Sequence, residues 1–162
     1  MEGSRANNIP KLAASIMICL FAGLVGSFFT SPAIPGWFAT LTKPAFSPPN
    51  WIFAPVWTIL FVLMGISMYM VWNKGLQNRD VKISLLIFGI QLVLNVLWSF
   101  LFFGLRSPFY AFVEIIILWV VIAFAIQNFS RISRTAGLLL VPYILWVSFA
   151  AILNFYIWNL NS

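Results

Sequence analysis

The chain alternates between long apolar runs and short polar breaks, and the runs are apolar on every side rather than on one stripe. Five runs reach the length of about twenty residues at which a helix crosses a bilayer. They read as Lys11–Thr30, Pro49–Trp72, Ile83–Phe103, Pro108–Asn128 and Thr135–Trp158. Barrel strands would alternate polar and apolar residues, and these runs do not. The pattern therefore predicts an all-α fold: one integral membrane bundle of five transmembrane helices over residues 1–162, with a structured loop between helices 1 and 2. The first run is long and is followed by no convincing small-residue cleavage site, so a span is expected there rather than a signal peptide.

The breaks carry recognisable punctuation. Pro32, Pro35 and Gly36 are expected to end the first span, and Asn73 to Asp80 forms a polar loop around Gly75. Ser107-Pro108 has the form of an N-cap followed by a first-turn proline, and Ser47-Pro48-Pro49 could open the second span in the same way. The connection from Ser31 to Pro48 holds Trp37, Phe38, Leu41 and Phe46 among turn formers. It is expected to fold over the outer end of the bundle, and interfacial aromatic belting is the competing explanation of its tryptophan.

Composition agrees with the pattern: 62% of residues are hydrophobic and only 7% charged, against about 25% charged in soluble domains. The net charge of +6 does not indicate nucleic acid, because the basic residues fall singly between apolar runs. Their placement sets topology instead. Arg5, Lys11, Lys74, Arg79, Lys82, Arg131 and Arg134 share one side, and Lys43 and Arg106 the other, accounting for all nine. A seven-to-two bias predicts a cytoplasmic N-terminus and an external C-terminus.

The chemistry on offer is narrow. There is no histidine, and the one cysteine, Cys19, lies in an apolar run, so neither a metal centre nor an intrachain disulfide is expected. No catalytic residue is assigned. Of the three acids, Glu2, Asp80 and Glu114, only Glu114 falls inside a span, two turns after Pro108. It is expected to bond the first loop or its basic neighbours Lys43 and Arg106, since an unpaired carboxylate there is costly.

Three helix faces stand out. Gln91, Asn95 and Trp98 follow i, i+4, i+7 spacing, as Trp57, Phe61, Met64 and Met68 do on the second span. Trp146, Ala150, Leu153 and Asn154 form a stripe on the fifth. Amides at membrane depth seek partners, so these faces should point inward. Either the amides bond neighbouring helices and the tryptophans fill space, or the faces converge on an apolar cavity with a few orienting polar groups. Ala22, Gly23, Gly26 and Ser27 on the first helix permit close helix approach, within one protomer or between two.

Several of these residues together resemble a known family. Trp37-Phe38-x-x-Leu41-x-Lys43-Pro44, Pro48-Pro49-x-Trp51 and Pro55-Val56-Trp57 are similar to the signature of the TspO/MBR, or tryptophan-rich sensory protein, family. Gln91-x-x-x-Asn95-x-x-Trp98, Phe102-Phe103-Gly104, Pro142-Tyr143-x-x-Trp146 and Leu153-Asn154-Phe155-Tyr156 continue the match in order. The resemblance implies a five-helix membrane protein, often a homodimer, with a cavity beneath the first loop. Its ligands would be porphyrins such as protoporphyrin IX, or other lipophilic small molecules, with no resident cofactor. By motif position the ligand-binding residues would be Trp57, Asn95, Trp146 and Ala150, with Trp37 and Trp51 near the mouth. The implied function is a membrane receptor or sensor that modulates tetrapyrrole handling or stress responses. Transport of porphyrin, and tryptophan-dependent photo-oxidative breakdown of it, are the alternatives. An acid at the position of Glu114 also belongs to the resemblance. The animal cholesterol motif ends in a basic residue after the tyrosine of the fifth helix; here Ile157 to Ser162 carry none, so sterol binding is not expected.

Overall fold

The computed structural model describes residues 8–162, so Glu2 and Arg5 lie outside the described residues. Helix α1 spans Asn8–Ala33 and continues through a π-helical turn at Ile34–Phe38. A 3-10 turn at Asn50–Ile52 opens α2, Phe53–Trp72. Helix α3, Arg79–Ser99, also ends in a π-turn, Phe100–Gly104, and α4 covers Pro108–Ile132. The fifth span is broken into α5, Arg134–Leu139, and α6, Val141–Asn161. Each of the five spans is long and apolar enough to cross a membrane.

Local chemistry explains most boundaries. Asn78 caps α3 by accepting the Asp80 N–H at 2.9 Å, after a turn in which Gly75 takes φ 103°. Ser107 accepts the Tyr110 N–H at 3.3 Å ahead of Pro108 at the first turn of α4, as its sequence suggests. Ser133 does the same for the Ala136 N–H, and the fifth span breaks at Leu140 because Pro142 brings no backbone donor.

Two expectations need correction. Pro32, Pro35 and Gly36 do not end the first span; the helix runs on to Phe38. Pro35 sits in the opening turn of the π-segment, where a missing N–H costs little, and the wider turn absorbs the proline instead of breaking at it. Nor does Ser47 cap the second span, which starts on the 3-10 turn after Pro49 with no side-chain cap.

The spans form a closed ring in the order second, first, third, fourth, fifth. Helices α1 and α2 approach most closely at Gly65, where a Cβ would lie 2.5 Å from the Ile16 Cα. At Gly23 an added Cβ would meet the Phe61 ring at 2.6 Å, and at Gly26 the Ser99 hydroxyl at 3.3 Å. The small residues of α1 thus serve packing within one chain. A buried bond from Ser67 Oγ to the Ala136 carbonyl at 2.7 Å joins α2 to α5. Facing outward are Phe21, Phe28, Ile59, Val93, Ile117, Phe124 and Ile152, an apolar belt suited to lipid.

The loop after Phe38 closes one end of the ring. Thr42 is held by Asn161 at the end of α6. Phe46 packs edge-on against Tyr156 and Phe149, and the Lys43 ammonium stands 4.5 Å from the Phe38 ring centroid. Lys43 also donates to the Leu41 carbonyl at 3.3 Å. It makes no bond to Glu114. That carboxyl is 5% exposed, and neither of its oxygens has a hydrogen-bond partner among the described residues. The expected tie between Glu114 and the loop is therefore absent. The reason is the helix face: Glu114 lies with Ala111, Ile115 and Leu118 on the buried side of α4, aimed into the bundle instead of up towards the loop.

Candidate functional site

Beneath the loop lies a cavity of about 400 Å³, within the range of sites for drug-sized ligands. Four spans build its wall. The second contributes Asn50, Phe53, Ala54, Trp57, Thr58 and Phe61; the third Asn95, Trp98, Ser99, Phe102 and Phe103. The fifth adds Trp146, Ala150, Leu153, Asn154 and Ile157, and the first adds Leu20, Gly23, Leu24, Gly26, Ser27, Thr30, Ser31 and Ile34. Its exposed wall residues, among them Leu24, Ser27 and Ser31 with Asn50, Ala54 and Thr58, all belong to the first span and the start of the second. The opening thus lies sideways, between α1 and α2, towards the bilayer.

Three aromatic pairs line the wall. Trp57 stacks on Phe61 with centroids 5.6 Å apart, and Trp98 on Phe102 at 5.2 Å. Phe53 meets Trp146 edge-on at 6.0 Å. Such surfaces suit a flat apolar ring, because a face offers dispersion contact and an edge offers quadrupole complementarity.

Polar groups are few and mostly committed. Trp98 Nε1 donates to Asn154 Oδ1 at 2.9 Å, and Asn154 Nδ2 donates to the Pro108 carbonyl at 2.8 Å, linking α3, α6 and the start of α4. Asn95 Nδ2 donates to the Tyr143 hydroxyl at 2.8 Å, which donates to Gln91 Oε1 at 2.7 Å. Both expectations for the third helix therefore hold at once: Gln91 and Asn95 bond a neighbouring helix, and Asn95 also faces the cavity. Trp146 Nε1 is buried and has no partner among the described residues. No group of three or more His, Cys, Asp or Glu among the described residues is arranged to hold a metal.

Of the residues singled out in the sequence, Trp57, Asn95, Trp146 and Ala150 come together in this wall. Trp37 and Trp51 do not line it. Trp37 is one step round the π-turn from Ile34 and Phe38, which do, and packs edge-on against Phe102 at 5.7 Å. Trp51 sits between Asn50 and Phe53 on the 3-10 turn and is 73% exposed. Sequence reasoning missed the first helix as a wall. The available signal was a seam of small or short polar residues, Gly23, Ser27, Thr30 and Ser31, at helical spacing in an otherwise bulky span.

Five membrane-spanning helices closed around an aromatic, laterally open cavity define an integral multi-pass membrane protein. The chain belongs to the TspO/MBR family, whose model matches residues 15–159. It is 46% identical over 153 residues to the tryptophan-rich protein TspO of Chlorobaculum tepidum, covering 94% of this chain and 97% of that protein. It is likewise 46% identical to the tryptophan-rich protein TspO of Archaeoglobus fulgidus, over 96% of this chain and 99% of that one. Similarity extends to the human translocator protein, 34% identical over 85% of this chain and 82% of that protein.

Proposed function

We propose that this protein is a membrane receptor or sensor whose cavity binds flat lipophilic ligands, with tetrapyrroles such as protoporphyrin IX as the ligand class. The observation that carries the reading is the cavity of about 400 Å³ itself, walled by Phe53, Trp57, Phe61, Trp98 and Trp146 with Asn95 among them as a polar group. Membership of a family whose relatives carry the names sensory protein and translocator protein supports the same reading. The protein works as a homodimer with its N-terminus in the cytoplasm, in keeping with the resemblance and with the basic bias of that side.

The test is an absorbance and fluorescence titration of the detergent-solubilised chain with protoporphyrin IX in the dark. Saturable binding that weakens in Trp146→Phe, which trims the aromatic wall, is the expected result. Absence of saturable binding to the unmodified chain overturns the proposal. Repeating the titration under illumination separates sensing from photo-oxidative breakdown, which would bleach the porphyrin spectrum in a protein-dependent way.

A further inference from the structure

Asn95 is 7% exposed and faces the cavity, so what it offers a ligand depends on which way its amide is turned. An amide can present either its carbonyl oxygen or its NH2 group, and the two reward opposite ligand chemistry. Here the choice is made one layer behind the wall. The Tyr143 hydroxyl carries a single hydrogen, and it is donated to Gln91 Oε1 at 2.7 Å. That leaves the hydroxyl able only to accept from Asn95, whose Nδ2 reaches it at 2.8 Å. The chain of donation runs Asn95 to Tyr143 to Gln91, and it leaves Asn95 Oδ1 as the oxygen on the cavity side. Were Gln91 turned over, the hydroxyl would donate to Asn95 and the cavity would receive an N–H instead.

The orientation of Gln91 is in turn set by its surroundings. Gln91 is 1% exposed, and its Nε2 has no partner; the two Glu114 oxygens are buried acceptors that also have none. A low-dielectric core favours an amide whose N–H end faces the acceptors around it.

We propose that Tyr143 and Gln91 are positioning residues that fix the polarity of Asn95, so that the cavity reads a ligand N–H or O–H through Asn95 Oδ1. This rests on the cavity being a ligand site, and it adds a requirement: the preferred ligand carries a donor. Pyrrole N–H, lactam N–H and hydroxyl O–H groups are of that kind; an ether or an ester group is not.

The test compares 2-naphthol with 2-methoxynaphthalene, two fluorescent probes of similar shape of which only the first donates. Affinities are measured for the unmodified full-length chain, for Tyr143→Phe and for Gln91→Met. Comparing the naphthol-to-ether ratio between proteins cancels the different partitioning of the probes into detergent. A neutral hydrogen bond corresponds to about a fivefold preference. That preference is expected in the unmodified chain and lost in both variants, one keeping the ring and the other keeping the hydroxyl. Loosened packing would weaken both probes alike and leave the ratio unchanged; an unchanged ratio overturns the proposal. Should neither probe bind the unmodified chain saturably, the ligand-site reading fails and this one with it.

Discussion

Asn161 and Thr42 exchange a pair of hydrogen bonds across the mouth of the bundle. The Thr42 N–H donates to Asn161 Oδ1 at 2.9 Å, and Asn161 Nδ2 donates to the Thr42 carbonyl at 2.8 Å. A third bond, from Asn161 Nδ2 to the Ile157 carbonyl at 2.7 Å, fixes the side chain to its own helix. One amide thus clasps the first loop to the last turn of α6. Asn161→Ala should loosen the loop by about 1–2 kcal/mol while the spans stay intact. Hydrogen exchange should then rise over residues 41–48 and stay unchanged in α3; uniform protection would show that the aromatic contacts of Phe46 hold the loop unaided.

With that end clasped, entry from the bilayer between α1 and α2 is the route the opening provides. Ala54 is exposed in that opening. Ala54→Trp should slow the association and dissociation of protoporphyrin IX together, by several-fold, and shift equilibrium affinity less than either rate. Stopped-flow fluorescence in nanodiscs measures both rates. A faster association in Asn161→Ala, with Ala54→Trp unaffected, would mean that ligands enter through the loop.

Gly65 lets α1 and α2 approach closely. Its missing Cβ would fall 2.5 Å from the Ile16 Cα, and backbone there cannot step aside. Gly65→Ala should therefore cost about 1–3 kcal/mol by overpacking. Gly89, with nothing within 4 Å of an added Cβ, is the matched control. Thermal unfolding in detergent should separate the two variants, and equal melting temperatures would contradict the crossing geometry.

Asn95→Ala removes both the cavity-facing oxygen and the donor to Tyr143. Ligand affinity should fall by about 1–2 kcal/mol, with helix content unchanged by circular dichroism. Unaltered binding by the folded variant would leave Asn95 a helix-packing residue only.

Membrane orientation is checked with single cysteines in a Cys19→Ala background. Arg79→Cys should react with an impermeant reagent from the cytoplasm, and Lys43→Cys from outside. Reversed accessibility would overturn the orientation while leaving the five spans in place.

Five spans, the inward faces of the third and fifth, and the helix start at Pro108 were legible in the sequence, because each follows from local rules. A run of about twenty apolar residues has one stable state in lipid, and helical spacing assigns its faces whatever the neighbours are. The prolines of the first break were misleading, since a π-turn, invisible to composition, carried the helix past them to Phe38. Trp37 and Trp51, which the resemblance implies lie near the mouth, stand beside wall residues on their tight turns without lining the cavity themselves.

What the sequence determined alone is the class of molecule: its apolar length, its lack of histidine and its basic asymmetry admit a multi-pass membrane protein and little catalytic chemistry. What only the tertiary structure decided is the site. The ring order puts Asn95, Tyr143 and Gln91 in one chain of bonds, leaves Trp146 Nε1 unmatched, and turns Glu114 inward, away from Lys43. The reason is that hydrogen-bond polarity is a relation between side chains on different helices. Residue spacing fixes which face each amide occupies, while the packing of α3 against α4 and of α4 against α6 fixes what that face meets.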